Sequence, residues 1–558
     1  MRIHEYVKRL VSALFLIGWS LYFSFLWRDL VFFDRTDLRV GGVNLWGDWA
    51  MHFTLGAAFA YRSPWITSHP LLTGAPFAYP FLVNWISGML VRMGVEFFSA
   101  FVIPSYVYSL LFVFVVFLFF HRLFSSRAVA MVSTSIFLLN GGLGFWWYIQ
   151  DVLAKPTLQT LFGFTTEYTH MPKIGIEWIS IITSMILPQR SFVFGFPIAL
   201  GILLLLFQQI KQRRTHWKRW VFALLGLLYG LMPIIHTHSS FMIALVLVGW
   251  GAWSVFRKEP KKDTRGGYIR AIQCWLVFAF VAGMIALPFV KTFFSHTVSQ
   301  ATSGGFIRWY PGWFVHPEAE DAGVNWVWWW MLNWGLTLPL GIYGWFKVDR
   351  TRKIIFAPFL FIFVLLNLFL FQPFVWDNTK LLVWASLGVS GLAGAVVVQF
   401  IKRNMFTRVL AIALFFLMIF SGSLDAYAAI DKRRHNWSMY RVDDLALADE
   451  IRRNTNVNAV FLTSDTHNNP INLAGRQLIM GFRGWLWTYG FNYWPIEMDV
   501  MTMYGGGPRT EELLKKYTIS YVVFDEKVLR EYKGNEKYYI NKFPVALKNS
   551  TYRIYRVQ

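Results

Sequence analysis

The feature that most constrains this chain is a rhythm of long apolar runs, each ended by a polar or basic interruption. They fall at about 10–33, 100–120, 128–148, 192–210, 220–236, 239–256, 268–290, 326–346, 354–373, 380–401 and 409–425. Runs of roughly 17–25 residues match the length a helix needs to cross about 30 Å of hydrocarbon. Only 15% of the 558 residues are charged, 56% are hydrophobic and the mean hydropathy is +0.42. A soluble protein needs charged residues at about a quarter of its positions. The reading is a polytopic α-helical membrane protein with about 11 spans.

The net charge of +22 does not point to nucleic acid, because the cations gather between the apolar runs. Lys8/Arg9, Arg122/Arg127, Lys211/Arg213/Arg214/Lys218/Arg219, Arg257/Lys258/Lys261/Lys262/Arg265, Lys347/Arg350/Arg352/Lys353 and Lys402/Arg403/Arg408 all fall on one side of an alternating topology. By the positive-inside rule that side is the cytoplasm. The expectation is a multi-pass protein of the inner or plasma membrane, with a cytoplasmic N-terminus. The first apolar run is too long for a signal peptide and has no small-residue cleavage site, so it reads as a retained span. The lone cysteine, Cys274, excludes a disulfide or a cysteine-based metal site within one chain.

Two further apolar stretches, about 77–94 and 174–189, read as interfacial or re-entrant helices. From about 426 the chain changes character. DDLALADEIRRN reads as an amphipathic helix, AVFLTSD as a strand, TEELLKKYTISYVVFDEK as helix then strand, and PVALKNSTYRIYRV as a closing hairpin. The domain expectation is therefore a membrane domain, 1–425, whose first outer loop spans about 34–99, and an extracytoplasmic α/β domain, 426–558.

On this topology the unusual polar residues collect on the outer face. WGDWAMHF carries Asp48 and His52, four residues apart and so on one face of a helix. LPQRSF carries Gln189 and Arg190, and MPIIHTHSS carries His236 and His238. The seam FQPFVWDNTKLL brings Asp377, Asn378 and Lys380, and LAGRQL adds Arg476. Singly, each has a plain structural reading: a cap, a polar turn, a snorkelling arginine. VNWVWWWMLNW reads as an aromatic belt. Together they suit an anionic headgroup beside a polar, sugar-like substrate. Arginine offers a planar fork to phosphate oxygens, lysine a point charge, and an aspartate beside a hydroxyl nucleophile could act as general base.

The pattern resembles the GT-C superfamily of multispanning glycosyltransferases. The resemblance rests on VGGVNLWGDWAMHF, HPLLTGAPFAYPFLVNWISGML, LPQRSFVFGFP, GLMPIIHTHSS, FQPFVWDNTKLL and LAGRQLIMGFRGWLWTYG. It implies a GT-C-like bundle that transfers a sugar, with inversion, from a polyprenyl-phosphate or diphosphate donor. The acceptor would be a glycan, lipid or protein on the non-cytoplasmic face. Asp48 takes the place of the family's first-loop acid. Arg190 and Lys380 would hold the leaving phosphate. His52, His236, His238, Asp377, Asn378, Gln189 and Arg476 would contact phosphate, sugar or acceptor. The resemblance names no certain cofactor and leaves a divalent metal open, since only some members use one.

Departures from the family are visible. Many members have two adjacent acids in the first loop, whereas Trp49 follows Asp48. The WWDYG-type signature of oligosaccharyltransferases is absent, and GFRGWLWTYG is similar to it only through Trp485, Trp487 and Tyr489. The competing readings are a lipid-linked-sugar flippase or transporter, an O-antigen ligase or polymerase-like enzyme, and a structural scaffold. A transporter would place polar residues at the bilayer midplane and both mouths.

Overall fold

A computed structural model describes residues 2–77, 80–178, 180–257, 264–297, 307–315, 323–431 and 436–558. Lys258, Lys261 and Lys262 of the fourth basic cluster lie outside the described residues. Contacts divide the chain into two units. The first comprises 1–29, 105–288 and 307–435, and the second comprises 30–104, 289–306 and 436–558.

Eight helices of the described chain are long and apolar enough to cross a membrane: Glu5–Arg28, Ser99–Phe124, Arg190–Lys211, Thr237–Phe256, Arg265–Thr292, Arg350–Leu368, Val375–Arg403 and Met405–Ala428. Three other expected spans are helical but shorter or broken. The run at 128–148 is helix over Arg127–Leu139 and again from Phe145, where Phe145–Ala154 begins. Between them Asn140 turns the chain out in an extended conformation, its Oδ1 accepting from Thr337 Oγ1 at 2.9 Å. The run at 220–236 forms the 17-residue helix Arg219–Ile235. The run at 326–346 splits into Trp326–Trp334 and Thr337–Lys347. Gly335, at φ +52°, breaks it in a backbone region that side chains avoid.

The centre of the first unit is the helix Thr379–Arg403. Its apolar stretch is 94% buried, and small residues let its neighbours come close. A Cβ on Gly394 would lie 2.2 Å from Ser133 Oγ, so only glycine allows that helix contact. The tryptophan-rich helix also differs from a simple belt. Trp329, Trp330 and Trp334 are buried against one another, while Trp326 and Trp328 remain exposed.

The second unit holds two sheets. In one, the hairpin Val31–Asp34/Asp37–Val40 continues into strand Trp437–Arg441, all antiparallel. The other has the spatial order Gln477–Leu478, Val460–Leu462, Ile519–Phe524, Arg553–Arg556, Val545–Lys548. Its first three strands are parallel and its last two antiparallel. The terminal elements fall where the sequence pattern puts them. DDLALADEIRRN lies in helix Val442–Asn454, and the closing hairpin pairs Val545–Lys548 with Arg553–Arg556. This confirms an α/β fold after residue 436.

Of the two extra apolar stretches, 77–94 contains the helix Leu82–Arg92. The other, 174–189, does not form a regular helix. A 3-10 turn at Pro172–Ile174 and a π turn at Ile182–Ile186 replace it. The cause lies far along the chain, because the buried Asn333 takes hydrogen bonds from Glu177 N and Trp178 N and donates to Gly175 O.

Candidate functional site

Seven of the ten residues singled out in the sequence lie in the first unit, and most of them meet. Arg190 is the first residue of helix Arg190–Lys211, and is completely buried, with Nε donating to Ser105 Oγ at 3.0 Å. Gln189, half-buried, caps that helix, its carbonyl accepting from Phe192 N at 2.9 Å. One turn in, Phe192 packs on His236 with ring centroids 5.6 Å apart, and His236 lies 5.3 Å from the ring of His238.

Both histidines act as acceptors, so both are neutral here. His236 caps helix Thr237–Phe256: its Nδ1 accepts from Ser239 N at 3.3 Å and from Ser239 Oγ at 2.7 Å. His238 Nε2 accepts from the Gln372 amide at 2.9 Å, an amide nitrogen being a donor only. Lys380 exerts its charge on both rings and pairs with Asp377 at 2.9 Å. Asn378 is fully buried and ties the seam together, its Oδ1 accepting from Phe371 N at 3.1 Å and its Nδ2 donating to Phe369 O at 3.0 Å.

Three helices therefore begin in this cluster, at Arg190, Thr237 and Thr379. A helix start carries the positive end of the macrodipole, which favours anions and disfavours cations by about 0.3–1 kcal/mol. Arg190 is the first residue of its helix, the end that disfavours a cation, whereas Lys380 follows the 3-10 turn Val375–Asn378 that leads into its helix and is paired with Asp377.

The same seam lines a cavity of 350 Å³ together with the segment from His170 to Met185. No sequence motif marks the residues of this segment as functional. Asn333, completely buried, holds the segment: its Oδ1 accepts from Glu177 N and Trp178 N, both at 2.7 Å, and its Nδ2 donates to Gly175 O at 2.7 Å. Glu177, with only 6% of its side chain exposed, lies 3.6 Å from His170 Nε2, and Glu167 lies 4.0 Å from His170 Nδ1.

Burial opposes charge on His170, but the hydrogen bond and charge of Glu177, then the charges of Glu167 and Asp425, outweigh it and raise its pKa above 6.5. A raised folded pKa means stability that is complete below the unfolded value and fades as pH rises through the folded one. Thermal unfolding of the wild type is thus expected to lose this contribution as pH climbs through the raised His170 pKa. His170→Gln is expected to flatten that part of the profile; an unchanged profile would rule the pair out as its source.

In the second unit, Asp48 is half-buried on helix Val43–Ala57, which is anchored on several sides. Trp46 Nε1 donates to Ser438 O at 2.9 Å, and the Trp46 ring lies 4.8 Å from that of His467. Tyr489 OH contacts Met51 Sδ. His52 is buried, its Nδ1 donating to Asn84 Oδ1 at 3.0 Å. Arg476 is buried among the chain's own carbonyls, donating to Ala474 O at 3.0 Å, Arg452 O at 3.0 Å and Thr455 O at 3.1 Å. Nearby, the buried Asp465 accepts from Tyr532 OH at 2.6 Å and pairs with Lys527 at 2.8 Å and Arg483 at 3.2 Å. His69 is buried without a charge to support it, which drops its pKa to about 3. Among the described residues no three His, Cys, Asp or Glu side chains form a metal-holding group.

No family model matches the sequence, and no curated protein matches it. Solved structures do match the fold. The Archaeoglobus fulgidus oligosaccharyltransferase, crystallised with a tethered acceptor peptide containing the NVT sequon, aligns with a TM-score of 0.54 at 12% identity, over 94% of this chain and 70% of that one. ArnT from Cupriavidus metallidurans, solved bound to undecaprenyl phosphate, aligns with a TM-score of 0.51 at 11% identity, over 97% of each chain. This chain shares the fold of these two proteins. At such low identity the likeness carries the architecture, and no residue role is transferred by it.

Proposed function

We propose that the chain is an inverting GT-C glycosyltransferase that moves a sugar from a polyprenyl-phosphate-linked donor to a glycan, lipid or protein acceptor on the non-cytoplasmic face. In this reading the N-terminus is cytoplasmic, 1–425 forms the catalytic membrane domain and 426–558 the extracytoplasmic domain. The observation that carries it is the pair of cations in one cluster, Arg190 buried at a helix start and Lys380 acting on His236 and His238. A phosphate beside them would meet both positive charges and the positive end of the helix that begins at Arg190. The GT-C neighbour bound to undecaprenyl phosphate gives that anion a lipid form.

The chemistry is one displacement. The acceptor oxygen attacks the anomeric carbon from the face opposite the phosphate, forming the new C–O bond. The bond from that carbon to the phosphate oxygen breaks, its electron pair leaving with the phosphate. Asp48 takes, or at least orients, the acceptor's proton. Arg190, by its fork, and Lys380, by its charge, stabilise the negative charge developing on the leaving phosphate. Neutral His236 and His238 offer that phosphate N–H donors without adding charge. Asp377 holds Lys380 in place, while Gln189 and Asn378 fix the helix start and the seam. His52 steadies the helix of Asp48, and Arg476 braces the 452–476 segment.

The test uses the purified full-length chain in a lipid bilayer. Undecaprenyl phosphate is expected to bind, and Lys380→Ala to weaken that binding by about tenfold or more. With a polyprenyl-phosphate sugar, a new glycosidic bond of inverted configuration is the expected product. Passage of the lipid-linked sugar across the bilayer with no new bond would replace this reading with a transporter.

A further inference from the structure

Helix Arg190–Lys211 has 22 residues, so its far end lies about 30 Å from Arg190. There the chain runs through KQRRTHWKR, residues 211–219, into helix Arg219–Ile235. The cations of this stretch divide by what their side chains touch. Arg214 is buried, its Nε donating to Ser254 O at 3.0 Å and its Nη2 to Arg257 O. Arg257 in turn donates to Ile210 O and, at 2.8 Å, to Gln212 O. These two arginines satisfy carbonyls left over where helices end. Lys211, Arg213, Lys218 and Arg219 are exposed instead, and none pairs with an acid among the described residues. The sequence offers few partners, since Glu259 and Asp263 are the only acids between Glu177 and Glu318.

Just inside helix Arg219–Ile235 the surface changes from charge to hydrocarbon. Trp220, Leu224 and Leu227 are 65%, 37% and 42% exposed. Their spacing puts them in one outward stripe. Lys218 Nζ stands 5.9 Å from the centre of the Trp220 ring, so the charged surface and the stripe meet. Another face of the helix is already occupied. A Cβ on Gly226 would lie 2.7 Å from Phe278 O, and one on Gly230 2.8 Å from Ile285 Cβ. The two glycines therefore bring helix Thr264–Thr297 into close contact, and Arg219 donates to Gln273 of that helix.

A soluble anion would use the cations and leave the stripe unmet. A neutral lipid would cover the stripe and leave the cations without an opposite charge. A phospholipid of net negative charge does both, with its headgroup among the cations and an acyl chain along the stripe. Exposed Trp220, between the two, suits the headgroup level. We propose that the four exposed cations of 211–219 and the stripe beginning at Trp220 form a binding site for an anionic phospholipid. In the topology above it lies in the cytoplasmic leaflet, whose negative surface attracts cations beside a span. The site does not rest on the transferase reading.

The experiment uses the full-length protein in phosphatidylcholine nanodiscs carrying a trace of photoreactive lipid, either phosphatidylglycerol or phosphatidylcholine with a diazirine on one acyl chain. Crosslinks are located by mass spectrometry. The phosphatidylglycerol probe is expected to label 220–227 about tenfold more than the phosphatidylcholine probe. Leu14 and Ile17, exposed in the middle of the first span, should take both probes equally. Lys218→Gln/Arg219→Gln is expected to lower the preference at 220–227 by about tenfold. Because Arg219 also reaches Gln273, Lys211→Gln/Lys218→Gln serves as a second variant, with a similar loss at an unchanged melting temperature. Excess unlabelled phosphatidylglycerol should displace the probe, and inorganic phosphate should not. Equal labelling of 220–227 by the two probes, displacement by inorganic phosphate, or a preference kept in both variants would overturn the site.

Discussion

Asp48→Asn is expected to lower sugar transfer by about 10²–10⁴-fold, the usual contribution of a general base, while the protein still inserts and folds. The substitution keeps the shape of the side chain and removes its charge and its capacity to take a proton. The helix that carries it is held through Trp46, Met51 and His52, whose contacts the change leaves in place. The loss should therefore appear in kcat, with binding of undecaprenyl phosphate unaltered. The check is steady-state transfer by purified enzyme beside a melting curve. Full activity in the variant would remove Asp48 as the base.

Arg190→Met carries an effect of similar size but the opposite signature in stability. Arg190 is completely buried at the start of an apolar helix. Replacing a buried charge with an apolar side chain of similar volume is often neutral, or stabilising by about 1–4 kcal/mol. A residue kept for structure would show its worth as a lower melting temperature. A residue kept to meet phosphate charge should instead lose about 10²–10³-fold in transfer at an unchanged or higher melting temperature. Arg190→Lys, which keeps charge but not the fork, should fall between. Retention of both activity and stability in Arg190→Met would exclude a role in phosphate stabilisation.

The membrane architecture was legible because bilayer thickness sets how long an apolar run must be, and most runs meet that length. The expectation erred where a run contained a backbone break, as at Asn140 and Gly335, which hydropathy does not register. Placement of the cluster was also readable, since Arg190, His236, His238 and Lys380 all sit at the ends of runs. The neutrality of the two histidines was not, because it depends on Ser239 and on Gln372 from a different segment. Still less visible was the pair His170–Glu177. Its geometry is imposed by Asn333, more than 150 residues away along the chain, inside a tryptophan-rich run that looked like a membrane belt. Arg476 shows the converse. An arginine in a polar loop looks free to meet a ligand, yet its donors go to nearby carbonyls.

The small sheet of the second unit has a consequence for the order in which the protein can be made. Strand Asp37–Val40 lies between Val31–Asp34 and Trp437–Arg441, and Leu38 and Val40 are completely buried. A ribosome delivers its outer partner some four hundred residues after the strand itself. Throughout that interval one edge of the hairpin has no strand to pair with, and such edges invite pairing with other chains. Synthesis that stops before residue 437 would leave that edge permanently open. The early hairpin therefore depends on residues 437–441 as a folding partner.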